Sequence, residues 1–383
     1  MLYIVSKNME NSFSLHQAII SIWNNFKRII QPLAVGASVG FALNWLGVPV
    51  AWLLGPLLVG IIYTCIQDSP KPLPSNFMKV GKAIIGVYSA ARFSPDTLVL
   101  GKTYAWPVML CISTTGALSM LNAFLLCQLA GVNRITSFLG SIPGSASTIV
   151  AMSEEFGADP MTVTLLQYVR MVTVVLLIPT TVTLVFPHSS ISQIATLAPT
   201  AVNTPQVPIF INLLVLAGCC SLGILVGQWL KLPTSGFLGS FLLGLLLFLS
   251  FPHWFFVPHW LWVVALILIG LSIGWKFDWQ AVRKLWKAVL LEIILVIVLM
   301  LSCLAIGYQF HLVTHIDTVT AILGFTPGGI EAMIATANQL EGDTGMVLAI
   351  QLTRQMLILL VINLSNVFVN ARKTEINQLG EQD

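Results

Sequence analysis

Residues 140–149 read Gly-Ser-Ile-Pro-Gly-Ser-Ala-Ser-Thr-Ile, and residues 324–333 read Gly-Phe-Thr-Pro-Gly-Gly-Ile-Glu-Ala-Met. The two stretches lie 184 positions apart, and each places a Pro-Gly pair inside a largely apolar segment. Proline removes a backbone donor and glycine tolerates an unwound backbone, so each pair predicts a break in a helix. At membrane depth, such a break is tolerated where protein or water satisfies the freed polar groups. Because the chain contains this costly feature twice, we expect both copies to take part in function.

A glutamine and an arginine follow each Pro-Gly pair at the same distance. They are Gln167 and Arg170 in the first copy and Gln351 and Arg354 in the second. Residues three apart share one face of a helix, so both members of each pair should point in one direction. A charge in the middle of a membrane span is expensive, and it usually marks a transport pathway or a charge pair.

The repeat extends well beyond these motifs. Residues 40–186 align with residues 224–370 without a gap, and eight of the 31 positions from 140 to 170 are identical in the two copies. A constant offset over this length indicates a duplicated structural unit.

The composition indicates that much of this chain lies in a membrane. Of its 383 residues, 56% are apolar and 9% are charged, and the mean hydropathy is +0.88. A soluble chain of this length usually carries about 25% charged residues, so we expect much of the surface to face lipid. The net charge of +3 is too small to predict a nucleic-acid partner. The six cysteines lie in or beside apolar runs without a C-x-x-C pair, which predicts buried thiols.

The apolar runs divide the chain into two membrane repeats, a linker and two tails. The linker at 187–208 contains four prolines and no Lys, Arg, Asp or Glu. The predicted divisions are a cytoplasmic tail at 1–28, repeat 1 at 29–186, the linker, repeat 2 at 209–370 and a cytoplasmic tail at 371–383. The predicted spans of repeat 1 are 29–47, 50–67, 78–92, 104–130 and 160–186, with the Pro-Gly segment at 133–157.

The number of crossings per repeat decides how the two copies are oriented. If the Pro-Gly segment enters and returns on one side, each repeat crosses five times and the copies are inverted; if it crosses, six crossings make them parallel. Lys and Arg favour the cytoplasmic side of short loops. Five crossings place two predicted loops inside and the uncharged linker outside. The first loop contains Lys71, Lys79 and Lys82, and the second contains Lys276, Arg283, Lys284 and Lys287. This distribution favours an all-α polytopic membrane protein of two inverted repeats, each with about five transmembrane helices and a re-entrant Pro-Gly segment.

The polar residues around the breaks form the predicted substrate or ion site. A helix that restarts after a break presents free N–H groups and the positive end of its dipole, which suits an anion or a carboxylate. Glu331 is either a proton or cation carrier or the occupant of its own helix terminus. Arg170 or Arg354 either binds an anionic group or pairs with Glu331. The predicted site contains Glu331, Arg170, Arg354, Gln167, Gln351, Pro143, Gly144, Pro327, Gly328 and Gly329.

Two further sets of polar residues have simpler interpretations. Asp159 and Asp343 precede the last span of each repeat and are predicted N-caps. His311 and His315 are four residues apart near Asp317, a spacing that can hold a metal in a helix, but they fall in a predicted loop. We therefore predict neither a metal nor another cofactor.

The motifs resemble those of a known family. The twofold Trp-x-x-Pro…Leu-Gly element, followed by Pro327-Gly328-Gly329-x-Glu331, resembles the AbrB-like bacterial integral membrane proteins over about residues 30–370. In the first half, Ser145 and Ser147 replace the second glycine and the acid. The resemblance implies a duplicated membrane domain in the bacterial inner membrane. Members of the family are labelled as ammonia monooxygenases or as regulators of gene expression.

Inverted repeats, broken helices and polar residues at the midplane are features of many secondary transporters. We therefore expect a transporter of a small anionic or amphoteric solute, with proton coupling through Glu331 and both termini in the cytoplasm. The alternative is a membrane-embedded regulator of gene expression that acts through a partner. Monooxygenase activity is not expected, because copper chemistry requires clustered His and carboxylate ligands and the six histidines are scattered.

Overall fold

The computed structural model describes residues 29–67, 73–93, 97, 102–144, 146–185, 207–232, 234–252, 254–358 and 360. The regular elements of these residues are α-helices. They are α1 Ile29–Trp45, α2 Ala51–Ile66, α3 Ser75–Ala91, α4 Ala105–Ala130, α5 Arg134–Ser141, α6 Ala146–Ser153, α7 Pro160–Val185, α8 Ile209–Trp229, α9 Ser235–Ser250, α10 His259–Gly274, α11 Trp279–Lys284, α12 Trp286–Thr314, α13 Thr318–Phe325, α14 Ile330–Gln339 and α15, residues 344–358.

The all-helical prediction is confirmed for these residues, and the helices are of the membrane type. Four of them, α4, α7, α8 and α12, are long and apolar enough to cross a membrane. Helix α8 turns large apolar side chains outward, and Phe210 and Trp229 are 75% and 81% exposed. An apolar surface of this kind suits lipid rather than water.

The elements recur at the offset seen in the sequence. Helices α2 and α9 have equivalent bounds at a shift of 184 residues, and so do α5 and α13. Left-handed backbone conformations also recur at this offset. The pairs are Gly47 with Lys231, Val50 with Thr234, Gly131 with His315 and Gly157 with Glu341.

Equivalent helices of the two halves run in opposite directions where they touch. In α3 and α10, the Tyr88 ring stacks on Trp262 with centroids 4.3 Å apart, whereas Gly81 lies against Ile269. The residue numbers therefore rise along one helix as they fall along the other. Helices α4 and α12 are antiparallel as well, because the Asn122 amide donates to Leu295 O at 3.1 Å and Val108 packs near Phe310.

Glycines allow the helices of the two halves to approach closely. A Cβ atom on Gly86 of α3 would lie 2.5 Å from the carbonyl oxygen of Phe237 in α9. A Cβ atom on Gly270 of α10 would lie closer still to the carbonyl oxygen of Leu53 in α2. Gly86 and Gly270 are 184 residues apart, and so are Leu53 and Phe237. The same close approach is thus made twice between the two halves.

Each Pro-Gly segment consists of two short helices that fold back on each other. The segments are α5 with α6 and α13 with α14. The N–H of Asp159, beyond the end of α6, donates to Thr136 Oγ1 near the start of α5 at 3.1 Å. The N–H of Asp343 donates to Thr320 Oγ1 in the same way at 2.8 Å. The beginning and the end of each segment therefore lie together.

The predicted span 78–92 contains Lys79 and Lys82, as α3 of the structure does, and the prediction that also counted them with the preceding loop is wrong. Helix α3 begins at Ser75 and contains both lysines. The helix starts three residues earlier than predicted, because its first turns are amphipathic and hydropathy alone misses them. Lys287 was likewise predicted in a loop and lies in α12. The predictions for the two tails, for Lys71 and for linker residues 187–206 fall outside the described residues.

Candidate functional site

The breaks of the two Pro-Gly segments meet at one cavity between the halves. All ten residues of the predicted site line this cavity. Its volume of about 60 Å³ leaves room for a few water molecules or for one small solute. The sequence prediction thus identified residues that the fold brings together from both copies.

The first Gln-Arg pair holds the broken end of α5. Gln167 Nε2 donates to the carbonyl oxygens of Leu139 and Ile142 at 2.6 and 3.1 Å. The Arg170 guanidinium donates to Ser141 O at 2.9 Å and to Gln167 Oε1 at 2.6 Å. The last carbonyls of a helix have no partner within it, so these side chains supply the missing donors inside the protein.

The second pair does the same for α13. Gln351 Nε2 donates to Leu323 O at 2.7 Å and to Thr326 O at 3.0 Å. Arg354 donates to Phe325 O and Thr326 O, both at 3.1 Å, and to Gln351 Oε1. The glutamines and arginines are therefore first of all caps of the broken helices. Each arginine also borders the cavity.

The depth of the cavity follows from α7. Arg170 lies ten residues after Pro160, where α7 begins. At 1.5 Å per residue this is about 15 Å along the helix, half of a hydrocarbon core of about 30 Å. A membrane span beginning at Pro160 would place the breaks close to the midplane.

Glu331 pairs with Lys82 rather than with an arginine. Lys82 Nζ lies 2.9 Å from Glu331 Oε1, and their side chains are 16% and 4% exposed. The interpretation of Glu331 as the partner of Arg170 or Arg354 is therefore wrong. The residues equivalent to Lys82 and Glu331 in the other copy are Leu266 and Ser147. The ion pair thus distinguishes the two halves of a site in which the Pro-Gly breaks, the glutamines and the arginines are duplicated.

Sequence reasoning missed Lys82 and several other residues of the cavity. Thr234 and Gln355 add polar groups, and Met78, Met171 and Ile330 add apolar walls. Three buried donors that line the cavity remain without a hydrogen-bond partner among the described residues. They are Arg354 Nε, Gln355 Nε2 and Thr234 Oγ1. Gln355 could not be recognised from the duplication, because the equivalent residue in the first copy is Met171.

A second buried acid lies behind the cavity. Glu292 of α12 is 2% exposed and interacts electrostatically with Arg170. Val289 and Leu295, on either side of it along α12, pack against α7. Glu292 therefore offsets the charge of Arg170 from α12.

The two aspartates are N-caps, as predicted. Asp159 accepts from the N–H groups of Met161 and Thr162, and Asp343 accepts from those of Gly345 and Met346. The hydrogen bond from the Thr162 hydroxyl is the main reason why the pKa of Asp159 lies below its usual value. Asp317, which was considered as a metal ligand, caps α13.

The fold and the cavity define the class as a helical protein of the membrane type, with two broken-helix segments around a shared polar site. The chain belongs to the family described as "Transition state regulatory protein AbrB", which it matches over residues 10–369. The sequence resemblance is thereby confirmed.

Two curated relatives cover most of the chain. One is the Escherichia coli (strain K12) protein named "Putative regulator AbrB", which is 28% identical over 331 residues, 86% of this chain and 92% of that protein. The other is the Bacillus subtilis (strain 168) protein named "Uncharacterized protein YhjN", which is 24% identical over 353 residues, 86% of this chain and 90% of that protein.

Proposed function

We propose that this protein is a secondary transporter that moves a small anionic or amphoteric solute through the central cavity, coupled to protons. The observation that carries the proposal is that Pro-Gly breaks from both halves line one buried polar cavity with Arg170, Arg354, Lys82 and Glu331. A buried site of this kind between duplicated units is a common plan of secondary transporters. We do not propose an enzyme, and the monooxygenase label is not adopted.

The proposed topology is two inverted repeats in the plasma membrane, with both termini in the cytoplasm. The antiparallel contacts of α3 with α10 and of α4 with α12 support inversion, since parallel copies would point equivalent helices the same way. The hydrogen bonds of Asp159 to Thr136 and of Asp343 to Thr320 support re-entrant segments that return to the side they entered. Each repeat then crosses five times, and the two breaks meet from opposite faces.

The charges of the cavity favour an anion. Arg170, Arg354 and Lys82 contribute positive charges at the cavity wall, and Glu331 contributes a negative charge. The N-terminus of α14 begins at the same wall, and its dipole attracts negative charge. An anion that enters the cavity would exchange its hydrogen bonds to water for hydrogen bonds to these fixed donors.

The Lys82–Glu331 pair is the proposed coupling element. Protonation of Glu331 would break its ion pair with Lys82 and add positive charge to the cavity, so the cavity would bind an anion more tightly; loss of the proton would restore the ion pair and weaken anion binding. In this scheme one proton binds for each anion that binds, and no further charged group is needed. The arrangement is asymmetric, because the other copy has Leu266 and Ser147 at these positions.

The alternative is a membrane-embedded regulator that acts through a partner. The name of the Escherichia coli relative, "Putative regulator AbrB", favours it. In this case the cavity would sense a ligand, and changes in the tails at 1–28 or 371–383 would alter the output more than changes at Glu331.

Uptake by proteoliposomes with an imposed pH gradient tests the proposal. The assay would measure radiolabelled acetate, lactate, propionate and glycine, with methylamine as a cationic comparison. We expect uptake of at least one anion or amphoteric solute by the wild type, and its loss in Glu331→Gln. Glu155→Gln, which neutralises an exposed acid, should keep the wild-type rate. Rates equal to those of empty liposomes for every solute would contradict transport.

A further inference from the structure

The second half contributes two buried donors to the cavity wall that have no partner in the described part of the chain. Arg354 and Gln355 are each 4% exposed, and both line the cavity. Arg354 Nε and Gln355 Nε2 have no hydrogen-bond partner among the described residues. Buried donors are costly when left unpaired, so two of them at the wall of one cavity indicate a ligand with acceptor atoms.

The charges around the cavity define the charge of that ligand. Glu331 offsets Lys82 through direct contact, and Glu292 offsets Arg170 through space. Arg354 contacts carbonyl and amide oxygens, and no carboxylate is within ion-pair distance of it in the described part of the chain. With Glu331 ionised, the surroundings therefore retain a single positive charge, which lies on Arg354. One negative charge completes the balance.

The shape and chemistry of the wall restrict the ligand further. Two N–H donors on neighbouring residues suit the two oxygens of a carboxylate, which accepts charge-assisted hydrogen bonds. Met78, Met171 and Ile330 provide apolar surface for a short aliphatic tail. A cavity of about 60 Å³ limits the ligand to a carboxylate with a short tail.

We propose that the cavity binds a small monocarboxylate whose carboxylate group is held by Arg354 Nε and Gln355 Nε2, with its tail against the two methionines. This proposal rests on the proposed function, and it assigns the substrate class and a specificity residue, Gln355. The two donors belong to the second half alone, since the first half has Met171 in place of Gln355.

The test is calorimetric titration of the full-length protein in lipid nanodiscs. The probes are sodium propionate, the dianion malonate and the cation propylammonium, at matched ionic strength. Gln355→Met removes the amide at nearly constant volume, and Arg354→Lys keeps the charge but removes Nε. The control is Gln67→Met, which makes the same replacement at an exposed position.

We expect propionate to bind the wild type and to bind both cavity variants about tenfold more weakly or worse, because each loses a hydrogen bond to a charged group. The control should match the wild type, and malonate and propylammonium should bind less tightly than propionate. Absence of propionate binding, unchanged affinity in folded Gln355→Met, or a preference for malonate would overturn the subsite.

The subsite and the transport proposal fail in different ways. Propionate binding with the expected variant pattern, but without uptake by proteoliposomes, would retain the subsite and reject transport. Uptake of a carboxylate that Gln355→Met does not impair would retain transport and reject the subsite.

Discussion

At the scale of single residues, the ion pair of Lys82 and Glu331 sets this site apart from a symmetric one. Removing one member of a buried ion pair is strongly destabilising, because it leaves the other charge buried and uncompensated. Neither residue has a charged equivalent in the other copy. The two members therefore depend on each other, and a change in one should alter the effect of a change in the other.

This dependence predicts strong non-additivity. Lys82→Met leaves a buried carboxylate unpaired and should lower the free energy of unfolding by about 3 kcal/mol or more. The double variant Lys82→Met/Glu331→Gln should lose clearly less than the sum of its two single changes. The measurement is unfolding in mixed detergent micelles, with the exposed Lys102→Met as the control. If the effects of the two single changes were strictly additive, the ion pair would contribute no interaction energy to stability.

The residues of the site show which contacts could be predicted from the sequence and which could not. The Pro-Gly pairs, glutamines and arginines were predicted to form one site and are found together. They could be recognised because they recur at the same positions in both copies. Lys82 and Gln355 do not recur in this way, since Leu266 and Met171 occupy the equivalent positions. Their roles arise when α3 and α15 pack around the second Pro-Gly segment. Such contacts between distant parts of the chain leave no pattern in a single sequence.

At the scale of elements, each broken helix is stabilised by the long helix that follows it. The glutamine and arginine of α7 cap α5, and those of α15 cap α13. The sequence predicted the breaks, and it predicted the shared face of each Gln-Arg pair. It did not predict that the arginines donate to helix carbonyls, because that contact depends on how closely the two helices pack.

The close helix contacts between the halves predict a second outcome. Gly86→Ala and Gly270→Ala would each push a methyl group into a facing backbone carbonyl, so each should lower the free energy of unfolding by about 1–3 kcal/mol. Gly116 and Gly218 lie in helices with open space around them. Their replacement by alanine should be neutral or stabilising by up to about 1 kcal/mol.

Detergent unfolding of the four variants provides the measurement. The two contact glycines should behave alike, since they occupy equivalent positions in the two halves. If the contact variants were as stable as the open-space variants, the proposed interlocking of the halves through α2, α3, α9 and α10 would be wrong.

At the scale of the whole molecule, the central claim is that the two Pro-Gly segments enter the membrane from opposite faces and meet at the cavity. The sequence favoured this arrangement through the distribution of Lys and Arg, but two lysines used in that argument, Lys79 and Lys82, lie in α3. The antiparallel contacts of equivalent helices are an independent and stronger argument.

The most direct test compares the sidedness of the turns that follow the two segments. Single cysteines at Glu155 and Glu341, both exposed, would be placed in a chain without its six native cysteines. A membrane-impermeant thiol reagent would be added to intact cells and then to permeabilised cells. We predict that one position is labelled in intact cells and the other after permeabilisation. Labelling of both positions from the same side would contradict the inverted arrangement and the shared cavity that depends on it.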